Sequence, residues 1–175
     1  GVYVLTWIML FFPFVHLPIM AVERGHGATT AASLIAAMGV GGIIGRLLFG
    51  WLGDRIGRRP SLHLALITQV VAFGLFAVSG SLAFLYFAAA LYIAGSSSAT
   101  SLYPAVIADH FGRGHIGAVT GVSFAIAGAA TSIGPVLAGW IRDTTGTYQM
   151  AFLIGAGLNV AAIGLLTLLR PPSHQ

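Results

Sequence analysis

The sequence predicts an all-α membrane protein of six transmembrane helices, arranged as two inverted three-helix repeats. Three observations carry that prediction: an apolar composition, six apolar runs of membrane-spanning length, and a stretch of sequence that occurs twice. Of 175 residues, 57% are hydrophobic and only 7% charged, where an ordinary soluble domain is about one quarter charged. The mean hydropathy of +0.93 excludes a soluble globular fold.

The runs occupy residues 2–22, 28–53, 61–79, 82–108, 116–141 and 148–169. Each can cross a hydrocarbon layer of about 30 Å as a helix, the longer ones with tilt. The polar interruptions read ERGHG, DRIGRRP, SGS, HFGRGH and RDTTGT, and connections this short make consecutive helices antiparallel neighbours. Arg55, Arg58, Arg59, Arg113 and Arg170 fall at one end of the bundle, against Arg24 and Arg142 at the other, each of these two beside an acid. The positive-inside rule then makes the arginine-rich end cytoplasmic, and with an even number of spans both termini as well. The expected location is the cell (inner) membrane, as a multi-pass protein.

A net charge of +4 does not point to nucleic acid, because the arginines are scattered over helix ends and form no stripe. There is no cysteine, so disulfide and thiol chemistry are absent. No spacing in the chain suggests a metal or a cofactor. The chain opens on Gly1 without a signal peptide, the expectation for a fragment.

Residues 36–57 (AAMGVGGIIGRLLFGWLGDRIG) align without gaps on 125–146 (AIAGAATSIGPVLAGWIRDTTG), with nine of 22 pairs identical. The shared GW-x-x-D-x-x-G core is Gly50, Trp51, Asp54 and Gly57 against Gly139, Trp140, Asp143 and Gly146. The first copy lies on span two and the second on span five. A displacement of three spans inverts the topology, which is the inverted-repeat construction of many secondary transporters.

With these residues in view, the chain resembles the C-terminal six-helix half of a major facilitator superfamily transporter, in the monocarboxylate-porter-like branch that includes oxalate/formate exchangers. GWLGDRIGRRP at 50–60 is similar to that superfamily's signature loop, with Gly50, Asp54, Arg55, Gly57, Arg58 and Arg59 in their places. IADHFGRGHIGAVTG at 107–121, GPVLAGWIRDTTGTYQMAF at 134–152 and FFPFVHLP at 11–18 are similar to a later cytoplasmic loop, the last helix pair and the first helix of such a half. The resemblance implies one domain over residues 1–175. It implies a small-molecule substrate, an organic anion with or without a proton, held between two halves that rock about it. A missing N-terminal half or a second six-helix unit is then the partner, and the lipid bilayer the solvent. It also implies a cytoplasmic gate of Gly50, Asp54, Arg55, Gly57, Arg58, Arg59, Asp109 and Arg113.

Arg46 is the full charge set well inside a span, about 10 Å from the arginine-rich end at 1.5 Å per residue. An intramembrane arginine costs roughly 2.5–3.5 kcal/mol on insertion scales, so it should face a polar cavity or a partner. Its planar fork matches a carboxylate, and the resemblance associates an arginine here with carboxylate substrates. The bland alternative is a structural charge held by the loop network. The sequence departs from monocarboxylate porters one turn earlier, where Gly42 replaces a common acid, and from oxalate exchangers in having no cation inside span five.

His16 stands between Pro13 and Pro18, each of which removes a backbone hydrogen bond and should kink or open the first helix. An imidazole beside freed carbonyls can line a cavity and carry a proton or donate to an anion; it can equally make a structural hydrogen bond to those carbonyls. Tyr103, with the polar run Ser96 to Ser101, could line the pathway, although small residues of this kind, like the Gly41-x-x-x-Gly45 pattern, more often serve helix packing. Asp109 and Arg113, four apart, read as a helix-end ion pair.

An enzyme is the weakest reading. A Ser-rich fourth span suggests an intramembrane serine protease, but that chemistry needs a histidine base on another span within reach, and span six has none. A non-transporting structural subunit, or a carrier of a neutral solute or drug, remains the alternative, since a fold is read more securely than an activity.

Overall fold

The computed structural model describes residues 1–78, 80–111 and 116–168. Among these residues eight helices follow one another: α1 (Val2–Ile8), α2 (Phe12–Glu23), α3 (Ala28–Ile56), α4 (Arg58–Val78), α5 (Leu82–Phe111), α6 (Ile116–Ala130), α7 (Ile133–Thr145) and α8 (Gln149–Leu168). Taken as α1–α2, α3, α4, α5, α6–α7 and α8, they give six helical stretches long and apolar enough to cross a membrane among the described residues. The protein is therefore multi-pass.

The first and fifth spans are broken, and each break has a proline four residues downstream. A proline lacks the N–H that would bond the carbonyl four residues back, and its ring crowds that carbonyl. Pro13 acts in this way on Met9, and Pro135 on Thr131; helix is lost at Met9–Phe11 and at Thr131–Ser132. Pro18, expected to open the first span as well, stays inside α2. The freed carbonyls at the first break are not left bare: the Tyr92 hydroxyl lies 2.8 Å from the Leu10 carbonyl and 3.3 Å from that of Met9, from α5.

α5 is the centre of the half, packed on α3 along one side and α4 along the other. Glycine sets these approaches. A Cβ on Gly41 would stand 2.6 Å from the Ala90 carbonyl oxygen, and one on Gly95 would stand 2.5 Å from that of Ala65. Gly45 meets the Ala94 backbone, and its repeat partner Gly134 meets the Ile8 backbone, more closely still. Span two thus seats on span four, and span five on span one. Each repeat lends its middle helix to the other, the arrangement that an axis in the membrane plane requires.

Beneath these seams lies an aromatic core of Phe12, Phe73, Phe76, Tyr92 and Phe152, all at most 2% exposed, with ring centroids 4.7 Å apart for Phe12 and Phe152 and 5.2 Å apart for Phe73 and Tyr92. Outside it, α3 shows solvent or lipid a row of Val40, Ile43, Leu47 and Trp51, and span five a matching row of Val122, Ile126, Val136 and Trp140.

Candidate functional site

The three residues singled out for substrate occupy three different surroundings. Arg46 projects from the exposed side of α3 into a cavity of about 220 Å3 shared with Gly50, Asp54, Arg58, Ser98 and Ser101. The serines come from α5, one turn apart, and reach the same space because Gly41 and Gly45 let α3 and α5 touch at the backbone. Gly42 is buried in that seam, and its carbonyl accepts a hydrogen bond from the Ser97 hydroxyl at 3.1 Å. The Ser98, Thr100 and Ser101 hydroxyls bond back to carbonyls four residues earlier, so most of the polar run is satisfied within its own helix.

His16 is 7% exposed and spends both ring nitrogens on span-linking bonds. Nε2 lies 3.1 Å from the Pro135 carbonyl and Nδ1 3.2 Å from the Tyr148 hydroxyl. A carbonyl can only accept, so Nε2 carries a proton; a neutral ring then accepts the Tyr148 O–H at Nδ1. Tyr103 is buried on the other side of α5, its hydroxyl 2.9 Å from Thr6 Oγ1 and its ring edge-on to Tyr3 at 4.4 Å. It is not brought to Arg46.

At the arginine-rich end, Arg58 donates to Asp109 at 2.8 Å, with both side chains close to half exposed. Arg59 turns elsewhere: its guanidinium donates to the carbonyls of Leu166 at 2.8 Å and Thr167 at 3.1 Å, where the last turn of α8 has no partners of its own. Arg55 lies over the Trp51 ring at 5.2 Å. Asp54 faces the Arg46 cavity and makes no ion pair among the described residues. Gly57 ends α3 with φ of 93°, and its repeat partner Gly146 ends α7 with φ of 75°, so both copies use glycine where an L side chain would be strained. Arg113 lies outside the described residues, and so does its expected pairing with Asp109.

The opposite end holds a network that neither repeat nor motif singled out. Arg142 of α7 donates to the Glu23 carboxylate of α2 at 3.2 Å, and its guanidinium lies 5.7 Å from the Tyr148 ring. Tyr148 in turn meets His16, so the chain Glu23, Arg142, Tyr148, His16 ties the first span to the fifth and sixth. Burial first, then the carboxylates of Glu23 and Asp143, push the Tyr148 phenol above its ordinary value, with Arg142 acting the other way. The signal was present in sequence: Arg142 and Tyr148 sit in the stretch RDTTGTY, but nothing local says that Arg142 reaches Glu23 and not its neighbour Asp143.

The chain is 30% identical over 158 residues to Monocarboxylate transporter 13 of Rattus norvegicus, covering 89% of this chain and 37% of that protein. It is 32% identical over 154 residues to Monocarboxylate transporter 11 of Mus musculus, covering 82% and 34%, and 30% identical over 146 residues to Monocarboxylate transporter 12-B of Danio rerio, covering 81% and 31%. It thus spans about a third of the length of these relatives. The sequence profile of the Major Facilitator Superfamily matches residues 1–175, and with six spans in two inverted repeats, the chain belongs to that superfamily.

Proposed function

We propose that this chain is half of a secondary transporter that moves small organic anions such as monocarboxylates by alternating access, with Arg46 receiving the carboxylate. The observation that carries the reading is the Arg46 cavity. A guanidinium set inside a span, with no acid bonded to it among the described residues and the serine-bearing face of α5 beside it, is suited to an anion and costly without one. The names of the monocarboxylate transporters that the chain resembles agree with that chemistry. Arg46 lies on the exposed side of this half, so a second six-helix unit is the natural cover that would enclose the pathway. His16, with both nitrogens engaged, acts from outside the Arg46 cavity; in this reading it is where a proton would be held if one is coupled.

In the full-length parent, uptake of labelled monocarboxylates should fall but persist in Arg46→Lys, which keeps the charge and loses the fork. Transport of a neutral or cationic solute, or unchanged anion affinity in a folded, inserted Arg46→Gln, would return Arg46 to a structural role. The turn between α3 and α4, with Gly50, Asp54, Arg55, Gly57, Arg58, Arg59 and Asp109 around it, serves as the cytoplasmic gate; Arg113, expected in the same gate, lies outside the described residues. Asp54→Asn or Gly57→Val should slow cycling between states more than it weakens binding, and loss of binding with intact cycling would count against a gate.

In this reading both termini are cytoplasmic and the protein sits in the cell (inner) membrane. An impermeant thiol reagent should label Gly80→Cys from outside and Ile56→Cys only after permeabilisation. The reverse pattern would overturn the orientation.

A further inference from the structure

At the end of the bundle that carries Glu23 there is a second cavity, of about 350 Å3, far along the chain and along the spans from Arg46. Its size is within the range of small-molecule pockets. Met20, Phe76 and Phe152 form an apolar floor, and Arg24, Arg142 and Tyr148 stand around the rim. The lining residues carry two guanidiniums, Arg24 and Arg142, against one carboxylate, Glu23, while Asp143, outside the lining, acts on Tyr148. Glu23 is committed to Arg142 at 3.2 Å, whereas Arg24 lines the cavity with no ion pair among the described residues. One uncompensated guanidinium over an aromatic floor suits a single chemistry, an anionic head on a short apolar tail.

We propose that this cavity is a second anion site, distinct from that of Arg46, which binds an amphipathic carboxylate with its head at Arg24 and its short tail in the space that Met20, Phe76, Ala77 and Phe152 line. The carboxylate competes with Glu23 for Arg142. Its binding therefore loosens the one ion pair, among the described residues, that joins the first span to the fifth. The floor is also one residue removed from His16, through Tyr148 at 3.2 Å, so occupancy is felt along the whole Glu23, Arg142, Tyr148, His16 chain. The same head-and-tail chemistry is offered by a free carboxylate and by an anionic lipid.

The test uses the whole chain in nanodiscs of phosphatidylcholine, with labelled octanoate as the probe. Octanoate should bind saturably, and octylammonium should not displace it. Arg24→Gln should weaken binding about fivefold or more, the loss expected of one charge-assisted contact at a partly exposed rim. Gln149→Glu, which adds a negative charge to the same rim, should weaken it in the same direction. Because octanoate is itself a monocarboxylate that the Arg46 cavity would accept in the transport reading, the measurements are made in the Arg46→Gln background, where the saturable binding that remains reports this site alone. Adding phosphatidylglycerol distinguishes the two sources: displacement of octanoate assigns the site to a lipid head, and no displacement to a soluble carboxylate, the Arg24 dependence holding in either case. The proposal is overturned if Arg24→Gln and Gln149→Glu both bind octanoate as the parent does, or if octylammonium binds equally well.

Discussion

Span two and span five begin from closely related sequence and end as different objects. α3 runs unbroken from Ala28 to Ile56, whereas its counterpart is split into α6 and α7 at Thr131–Ser132. The aligned pair that separates them is Arg46 and Pro135. One copy keeps its helix and carries a cation into the bilayer; the other carries a proline, opens at Thr131–Ser132, and within α7 offers the Pro135 carbonyl to His16 at 3.1 Å. What both copies retain is the set of positions that build the half: Gly45 and Gly134 at the backbone seams, Trp51 and Trp140 facing outward, and Gly57 and Gly146 at the helix ends with positive φ. One repeated pair of glycines, Gly45 and Gly134, seats both copies on their neighbours, and the chemistry enters at a position that does not repeat.

The largest effect should come from the position where the copies differ most. Arg46→Gln removes the guanidinium from its cavity and should weaken anion affinity by at least about thirtyfold, as expected for truncating one partner of a desolvated charge pair. Equilibrium binding in the full-length parent is the measurement. Unchanged affinity would mean that the cation of span two is as structural as the proline of span five.

The comparison is sharpened by the shared glycines. Gly45→Ala and Gly134→Ala each press a Cβ into opposing backbone and should each cost about 1–3 kcal/mol, read from reversible unfolding in mixed micelles. Gly50→Ala and Gly128→Ala, where a Cβ meets nothing within 4 Å, should leave stability unchanged or raise it by up to about 1 kcal/mol, since Ala is the better helix former. Equal effects at seam and open positions would break the claim that the glycines fix the packing of both repeats.

Smallest of all should be the pairs at the loops. Asp109→Asn removes an ion pair between side chains that are 40% and 48% exposed, worth under about 1 kcal/mol and less at high salt. A loss well above that would show that the arginine-rich end is held by its charges and not by the helix seams beneath.

Much of this was legible in sequence because it depends on period and composition. The six spans follow from hydropathy, and the inversion follows from a gapless repeat displaced by three spans. The break in span five was not read, although Pro135 announces it as plainly as Pro13 announces the break in span one; a continuous apolar run hides a missing backbone bond. Partners across long sequence distances were less accessible. Arg24 and Arg142 each stand beside an acid in sequence, but neighbours one apart on a helix do not face each other, and Arg142 instead crosses 119 residues to Glu23. Arg59 likewise crosses 107 residues to the α8 carbonyls, a contact that backbone need determines and no motif encodes. Of the site, the depth of Arg46 was legible and its serine-bearing neighbour partly so, while the separation of His16 and Tyr103 from it required the packing of α5.

Arg59 and Arg142 together have a mechanical meaning. Each is a cross-brace at one end of the half: Arg59 pins the beginning of α4 to the last turn of α8, and Arg142 pins α7 to the end of α2. Between the two braces lie the two helix breaks, Met9–Phe11 and Thr131–Ser132, the first of which is also held from α5 by the Tyr92 hydroxyl. Those breaks lie against each other where Gly134 meets Ile8. The two braces and the two breaks therefore lie along one continuous line of contacts, from the α4–α8 end of the half to the α2–α7 end.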